Sequence, residues 1–186
     1  RGVAGDAERS PVDLVLGPDQ SWLVTANQTS GSLSLVSIDD GSVLDEIYVG
    51  RHPTAIRAGA GEHQLLVTCS HSGYLAVVAV DDDRLRLVGT IRTGGEPTGV
   101  AVDRERAIGY VPLSALGQVA VIDLAEHRVT GRIDVGRWPR FAALSPDGSR
   151  LAVGTSGDRG LAVVDTRSQR LLYREQFEGL NIGRMQ

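Results

Sequence analysis

The sequence contains one cysteine, Cys69, and not a single lysine among its 186 residues. A lone cysteine excludes an internal disulfide, and neither a CxxCH haem attachment nor a zinc-type Cys/His spacing occurs. No apolar run approaches the roughly 20 residues that cross a bilayer as a helix. No GxSxG elbow is present to activate a serine. The 19 basic residues are all Arg, a bias that a high-GC bacterial genome produces without any appeal to function. The 23 acidic residues outnumber them, and a formal net charge of −4 argues against a duplex-DNA binder, which shows a basic stripe. No window of 11 or more residues keeps a helical period, so helix is expected to be nearly absent. The chain opens at Arg1 with neither Met nor a signal peptide, as a processed or truncated product does.

Glycine is abundant instead, at 23 residues, and implies many tight turns. With 41% hydrophobic and 23% charged residues the chain has material for a sizeable core and is not a disordered one. An internal repeat organises it. Gly-x-x-Pro occurs at Gly50-Arg51-His52-Pro53, Gly94-Gly95-Glu96-Pro97 and Gly136-Arg137-Trp138-Pro139, with prolines 44 and 42 residues apart, and Pro11 stands 42 before Pro53. Asp39, Asp81, Asp123 and Asp165 recur at intervals of 42.

Each unit divides into four short β-type runs. The first runs are Val12–Leu16, Thr54–Ala58, Thr98–Val102 and Arg140–Leu144; the second are Trp22–Ala26, Leu65–Cys69, Ile108–Pro112 and Leu151–Thr155. The third, Leu33–Ile38, Tyr74–Val80, Gln118–Leu124 and Leu161–Val164, are nearly continuous apolar stretches, as strands buried on both faces are. The fourth, such as Leu85–Ile91 and Val129–Val135, alternate and suit an outer, half-exposed place. Gly17-Pro18-Asp19-Gln20 and Ser145-Pro146-Asp147-Gly148 supply type I turns between runs one and two. Asp39-Asp40-Gly41 joins runs three and four as a tight hairpin. The periodic aspartates are expected to accept backbone N–H bonds at the end of run three.

Four-stranded antiparallel units of this period are blades of a β-propeller. The expected fold is therefore all-β, with blades over 11–52, 53–96, 97–138 and 139–181, a partial fifth over 182–186, and a linker over 1–10. A closed four-bladed ring is one reading. The broken fifth unit favours the other, a segment of a larger ring.

The residues Gly-Arg-x-Pro at 50–53 and 136–139, the Ser-Pro-Asp-Gly turn at 145–148 followed by Ser149-Arg150-Leu151-Ala152-Val153, and the strand ends Val121-Ile122-Asp123 and Val163-Val164-Asp165 resemble the YVTN-type β-propeller repeat. The resemblance covers Pro11–Gln186, and the family's tyrosine-valine strand is met by Tyr110-Val111 alone. It implies a bacterial or archaeal surface or periplasmic protein of the class that includes cytochrome-associated propellers. It carries over no catalytic residue and no haem ligand.

In such a ring the loops from run four to run one and from run two to run three share one face around the channel. They gather Arg51, His52, Glu96, Arg137, Trp138 and Asn181 from the first set, and Asn27, Gln28, His71, Ser114, Asp158 and Arg159 from the second. The candidate ligand-binding residues are Arg51, His52, His71, Glu96, Arg137, Trp138 and Asn181. Guanidinium forks suit carboxylate or phosphate, Trp138 offers a stacking surface, and Arg/Trp anchors also make protein hot spots. The plain alternative is that these are solvated loop residues, with Trp138 packed on its neighbour. No catalytic residue, metal ligand set or cofactor is expected. Two imidazoles alone are a thin metal site, Asp81-Asp82-Asp83 reads as a solvated turn, and Cys69 as a small buried hydrophobe. The expectation is a non-catalytic scaffold that presents loops to a protein or small anionic ligand outside the cytoplasm, with a possible homodimer through open blade edges and no nucleic acid or membrane span. The alternative is the propeller part of a redox protein whose c-type cytochrome domain lies outside this chain.

Overall fold

The computed structural model describes residues 8–61 and 63–178, which form four sheets of four strands. Blade 1 holds β1 (Pro11–Leu16), β2 (Trp22–Asn27), β3 (Ser32–Ser37) and β4 (Val43–Tyr48). Blade 2 holds β5 (Pro53–Ala58), β6 (Gln64–Cys69), β7 (Tyr74–Asp81) and β8 (Arg84–Arg92). Blade 3 holds β9 (Ala101–Asp103), β10 (Ile108–Leu113), β11 (Gln118–Asp123) and β12 (Arg128–Asp134). Blade 4 holds β13 (Pro139–Leu144), β14 (Arg150–Thr155), β15 (Gly160–Asp165) and β16 (Arg170–Gln176). In every blade the strands pair in chain order and antiparallel. The one helical element among the described residues is a 3₁₀ turn at Ser70–Ser72.

The core lies between blades, in three apolar layers. Val24, Ala26, Leu33 and Leu35 of blade 1 meet Ile56, Val67 and Val78 of blade 2. Leu66, Leu75 and Val77 meet Val111, Leu113 and Ile122 of blade 3. Tyr110, Val119 and Val121 meet Leu151, Val153 and Val164 of blade 4. A four-stranded sheet has two apolar faces and buries neither alone, so the stacking of neighbours is what makes these strands stable. The second strand of each blade is as deeply buried as the third: β6 and β10 are closed in along almost their whole length, because both central strands are hydrogen-bonded on either side.

The turns form as their residues dictate. Gln20 N–H donates to Gly17 O at 3.0 Å, and Gly148 N–H to Ser145 O at 2.8 Å. The periodic aspartates act unevenly. Asp123 accepts from the N–H groups of Ala125 and Glu126, and Asp165 from that of Ser168. In blade 1 it is Asp40 that accepts, from Ser42 N–H, while in blade 2 Asp81 bonds the Arg86 side chain. The expected first strand of blade 3 starts later than its residues suggest. Thr98 and Gly99 leave the ladder, although Pro97 still bridges Leu113 and Thr98 N–H donates to Pro112 O at 3.1 Å. Arg9 and Ser10, read above as linker, are tied to blade 1: Arg9 Nη2 lies 2.8 Å from Glu46, and Ser10 O accepts from Gln28 N–H at 3.0 Å. Residues 1–7, and the partial fifth unit at 182–186, lie outside the described residues.

Candidate binding face at the channel mouth

The segment that leads into each first strand docks on the loop between second and third strands of the same blade by the same hydrogen bond. Ser10 O accepts from Gln28 N–H, His52 O from Ser70 N–H, Glu96 O from Ser114 N–H and Trp138 O from Ser156 N–H, at 3.0, 3.0, 3.0 and 3.1 Å. All four carbonyl residues stand directly before a proline and have left-handed backbone, with φ of 48°, 57°, 56° and 50°. The left-handed region costs a side-chain-bearing residue about 1 kcal/mol or more, and glycine would adopt it freely. The chain uses Ser, His, Glu and Trp there instead. The same φ recurs four times under four different side chains, although in blade 3 the residue before it, Gly95, is left-handed as well.

Arg51, His52 and His71 come together between blades 1 and 2. The Arg51 backbone N–H donates to Ser72 Oγ at 2.8 Å and its Nη2 to the His71 carbonyl at 2.9 Å. The rings of His52 and His71 stack with centroids 4.1 Å apart and planes 13° from parallel. An imidazole holds an ion in its own plane, so two stacked, near-parallel rings do not chelate one ion as placed. Ser70 Oγ donates to the His52 carbonyl at 3.1 Å, which leaves it to accept from His52 Nδ1–H at 2.9 Å and puts the ring's lone pair on Nε2. Burial holds His52 below the usual histidine pKa, the charge of His71 pushes the same way, and Glu96 opposes both. Tyr48, which is 62% exposed, joins Arg51, His52 and His71 along a groove of about 430 Å³.

Glu96 and Trp138 share a second groove, of about 350 Å³, with Ser114, Arg140 and Ser156 between blades 3 and 4. Trp138 does not pack over its neighbour but stands 63% exposed, on a carbonyl held by both the N–H and the hydroxyl of Ser156. Arg137 is engaged within the fold: its Nε lies 2.7 Å from Asp158 Oδ1, its backbone N–H donates to Asp158 Oδ2 and its Nη2 to Gly157 O. That fork holds the Asp158 carboxyl below its ordinary range against the opposing effect of burial. Asn27 is likewise internal, bonding Ser32 and Ser34 from a buried position. Asn181 lies outside the described residues. Among the described residues no three His, Cys, Asp or Glu side chains come together to hold a metal ion. Ser10, Tyr48 and Arg140 were missed from sequence. The place before each repeat proline would have found Ser10, and the place after Pro139 would have found Arg140.

No protein-family profile matches the chain. It is 31% identical over 137 residues to the seven-bladed β-propeller protein Rv1057 of Mycobacterium tuberculosis, covering 71% of this chain and 35% of that one. It superimposes on a chain of hydrazine synthase from Kuenenia stuttgartiensis with a TM-score of 0.82 at 24% identity, over 95% of this chain and 51% of the other. A functionally unknown protein from Desulfotomaculum acetoxidans gives 0.74 at 15% identity, over 92% and 59%. The chain is a β-propeller. It spans about a third of the curated relative and little more than half of these solved chains.

Proposed function

We propose that this propeller is a non-catalytic scaffold that binds a protein or a small anionic ligand on its channel-mouth face, as a segment of a larger extracytoplasmic propeller of YVTN type. One observation carries the binding face: a left-handed residue recurs before a proline at the start of every blade and presents a different side chain each time, Ser10, His52, Glu96 or Trp138. A recurring backbone position with varied side chains separates architecture from recognition, and strained positions cluster where a protein does its work. Exposed Trp138, Tyr48 and Arg51 are the residue types that anchor interfaces. The YVTN assignment and the extracytoplasmic setting rest on the resemblance carried by Gly-Arg-x-Pro at 50–53 and 136–139 and the single Ser-Pro-Asp-Gly turn at 145–148.

A photo-crosslinking residue at position 138, compared with one at Arg104 on the opposite face, tests the reading in the producing cell. A discrete adduct from 138 alone supports it, and equal labelling from both faces refutes it. For a small ligand, citrate and inorganic phosphate are titrated against Trp138 fluorescence in a Trp22→Phe background. A saturable change that Arg140→Ala, in the groove Trp138 lines, removes is the expected result, and a titration with no change refutes the small-ligand reading.

A further inference from the structure

Acidic residues outnumber basic ones in this chain, 23 to 19, yet no carboxylate lines the groove of about 430 Å³ between blades 1 and 2. Its charge-bearing residues are Arg51, His52 and His71, and the rest of the lining, residues 28–31 and Tyr48, is neutral. The Arg51 guanidinium uses Nη2 on the His71 carbonyl, which leaves Nε and Nη1 without a partner among the described residues. The His71 ring hydrogen-bonds no described residue and meets His52 by stacking. Ser70 Oγ holds His52 Nδ1–H, so a proton taken up by that ring goes to Nε2, the nitrogen with no partner in the fold.

The stack makes the charge of this groove conditional. Two imidazoles with centroids 4.1 Å apart repel when both are protonated. The ionisable groups that face His52 are His71, from the 3₁₀ turn, and Glu96, from the segment before β9. Burial and His71 oppose the charging of His52, and Glu96 favours it. Planes 13° from parallel keep two N–H donors from converging on a single ion, but they suit the separate oxygens of a polyatomic anion. Such an anion offsets the repulsion within the pair and adds to what the free Arg51 donors already offer. By reciprocity, an anion that favours the proton is itself favoured by it.

We propose that an oxyanion, a carboxylate or a phosphate-type group, binds in this groove between Arg51 and the stacked imidazoles, and that its binding takes up a proton on the His52–His71 pair. The inference rests on the binding-face reading and gives that face a ligand chemistry and a direction of pH control: binding is tight in mildly acidic surroundings and released at neutral to alkaline pH.

Calorimetry and histidine-ring NMR of the 186-residue chain test it, with sulfate and oxalate as probes at constant ionic strength, because neither changes its charge between pH 6 and pH 8. Affinity for at least one probe should fall about tenfold or more from pH 6 to pH 8, with close to one proton taken up per anion near pH 7. The ring signals of His52 and His71 should move on binding, and those of His63 and His127, outside this groove, should stay. His71→Gln keeps the backbone carbonyl that Arg51 grips and should retain binding while losing most of its pH dependence. Arg51→Gln should remove binding at both pH values. A preference for sulfate assigns the site to phosphate-type groups, and a preference for oxalate assigns it to carboxylates. Binding of equal affinity at pH 6 and pH 8, or pH-dependent binding that survives Arg51→Gln, overturns the inference and leaves the binding-face reading standing. Absence of binding by both probes at both pH values overturns it together with the small-ligand half of that reading.

Discussion

Trp138 shows how a side chain is chosen against its backbone. It precedes Pro139, and proline steers the residue before it toward extended backbone, yet φ is 50°. Trp138→Gly should therefore melt no lower than Trp138→Ala, the reverse of the order expected at a strand position such as Ala142, and thermal denaturation reads the difference. That left-handed turn was not legible in the sequence, because the local rule for X-Pro points the other way. Only the fourfold recurrence of the motif hinted that something nonlocal holds it. His52 makes a pH-dependent contribution. Its folded pKa lies below the ordinary 6.5, first through burial and then through the stacked His71. As pH falls through 6.5 the unfolded chain binds the proton first, so stability is present above that value and lost below it. His52→Asn should flatten the fall in Tm between neutral and mildly acidic pH. Cys69 sits fully buried, and burial alone pushes its thiol up to about 12. The sequence already read it as a small hydrophobe. A thiol reagent at mildly alkaline pH should label it only after unfolding.

At the scale of the strand, apolar patterning and turn chemistry placed fourteen of the sixteen strands, leaving the fourth runs of blades 1 and 4 without bounds and starting the first strand of blade 3 three residues before β9. What escaped is where the ladders slip. Three of the four first-to-second pairings shift just after the opening proline, and every third-to-fourth pairing shifts once, at Leu35/Val36, Val77/Val78, Val121/Ile122 and Val163/Val164. An extra residue on one strand leaves apolar composition unchanged, so a bulge has no signature in hydropathy, while it tightens the twist that sets blade against blade. The candidate site was legible to the same degree. Loop membership of Arg51, His71 and Trp138 followed from strand order. The pairing of Arg137 with Asp158, 21 residues away, did not, because it depends on how two loops meet. Gly99 tests how closely the first strands approach. A Cβ there would lie 2.7 Å from the Arg140 carbonyl oxygen, a backbone atom that cannot step aside. Gly99→Ala should cost about 1–3 kcal/mol by overpacking, seen as a lowered urea midpoint with unchanged slope.

For the whole molecule, the arrangement is a one-dimensional stack in which each blade is stabilised by its neighbours. Among the described residues blades 2 and 3 have both apolar faces covered by a neighbouring blade, and blades 1 and 4 one each. Stability should then be graded, because local opening follows the apolar contact that a segment gives up. Amide hydrogen exchange resolves this strand by strand. In the 186-residue chain, β6, β7, β10 and β11 should exchange slowest and β1, β2, β15 and β16 fastest. The order separates two kinds of cooperativity. Uniform exchange would mean that the four blades open as one unit and that interface area does not set their order. Graded exchange would mean that stability flows through blade faces, so that the apolar rows between neighbouring blades decide whether this propeller holds together.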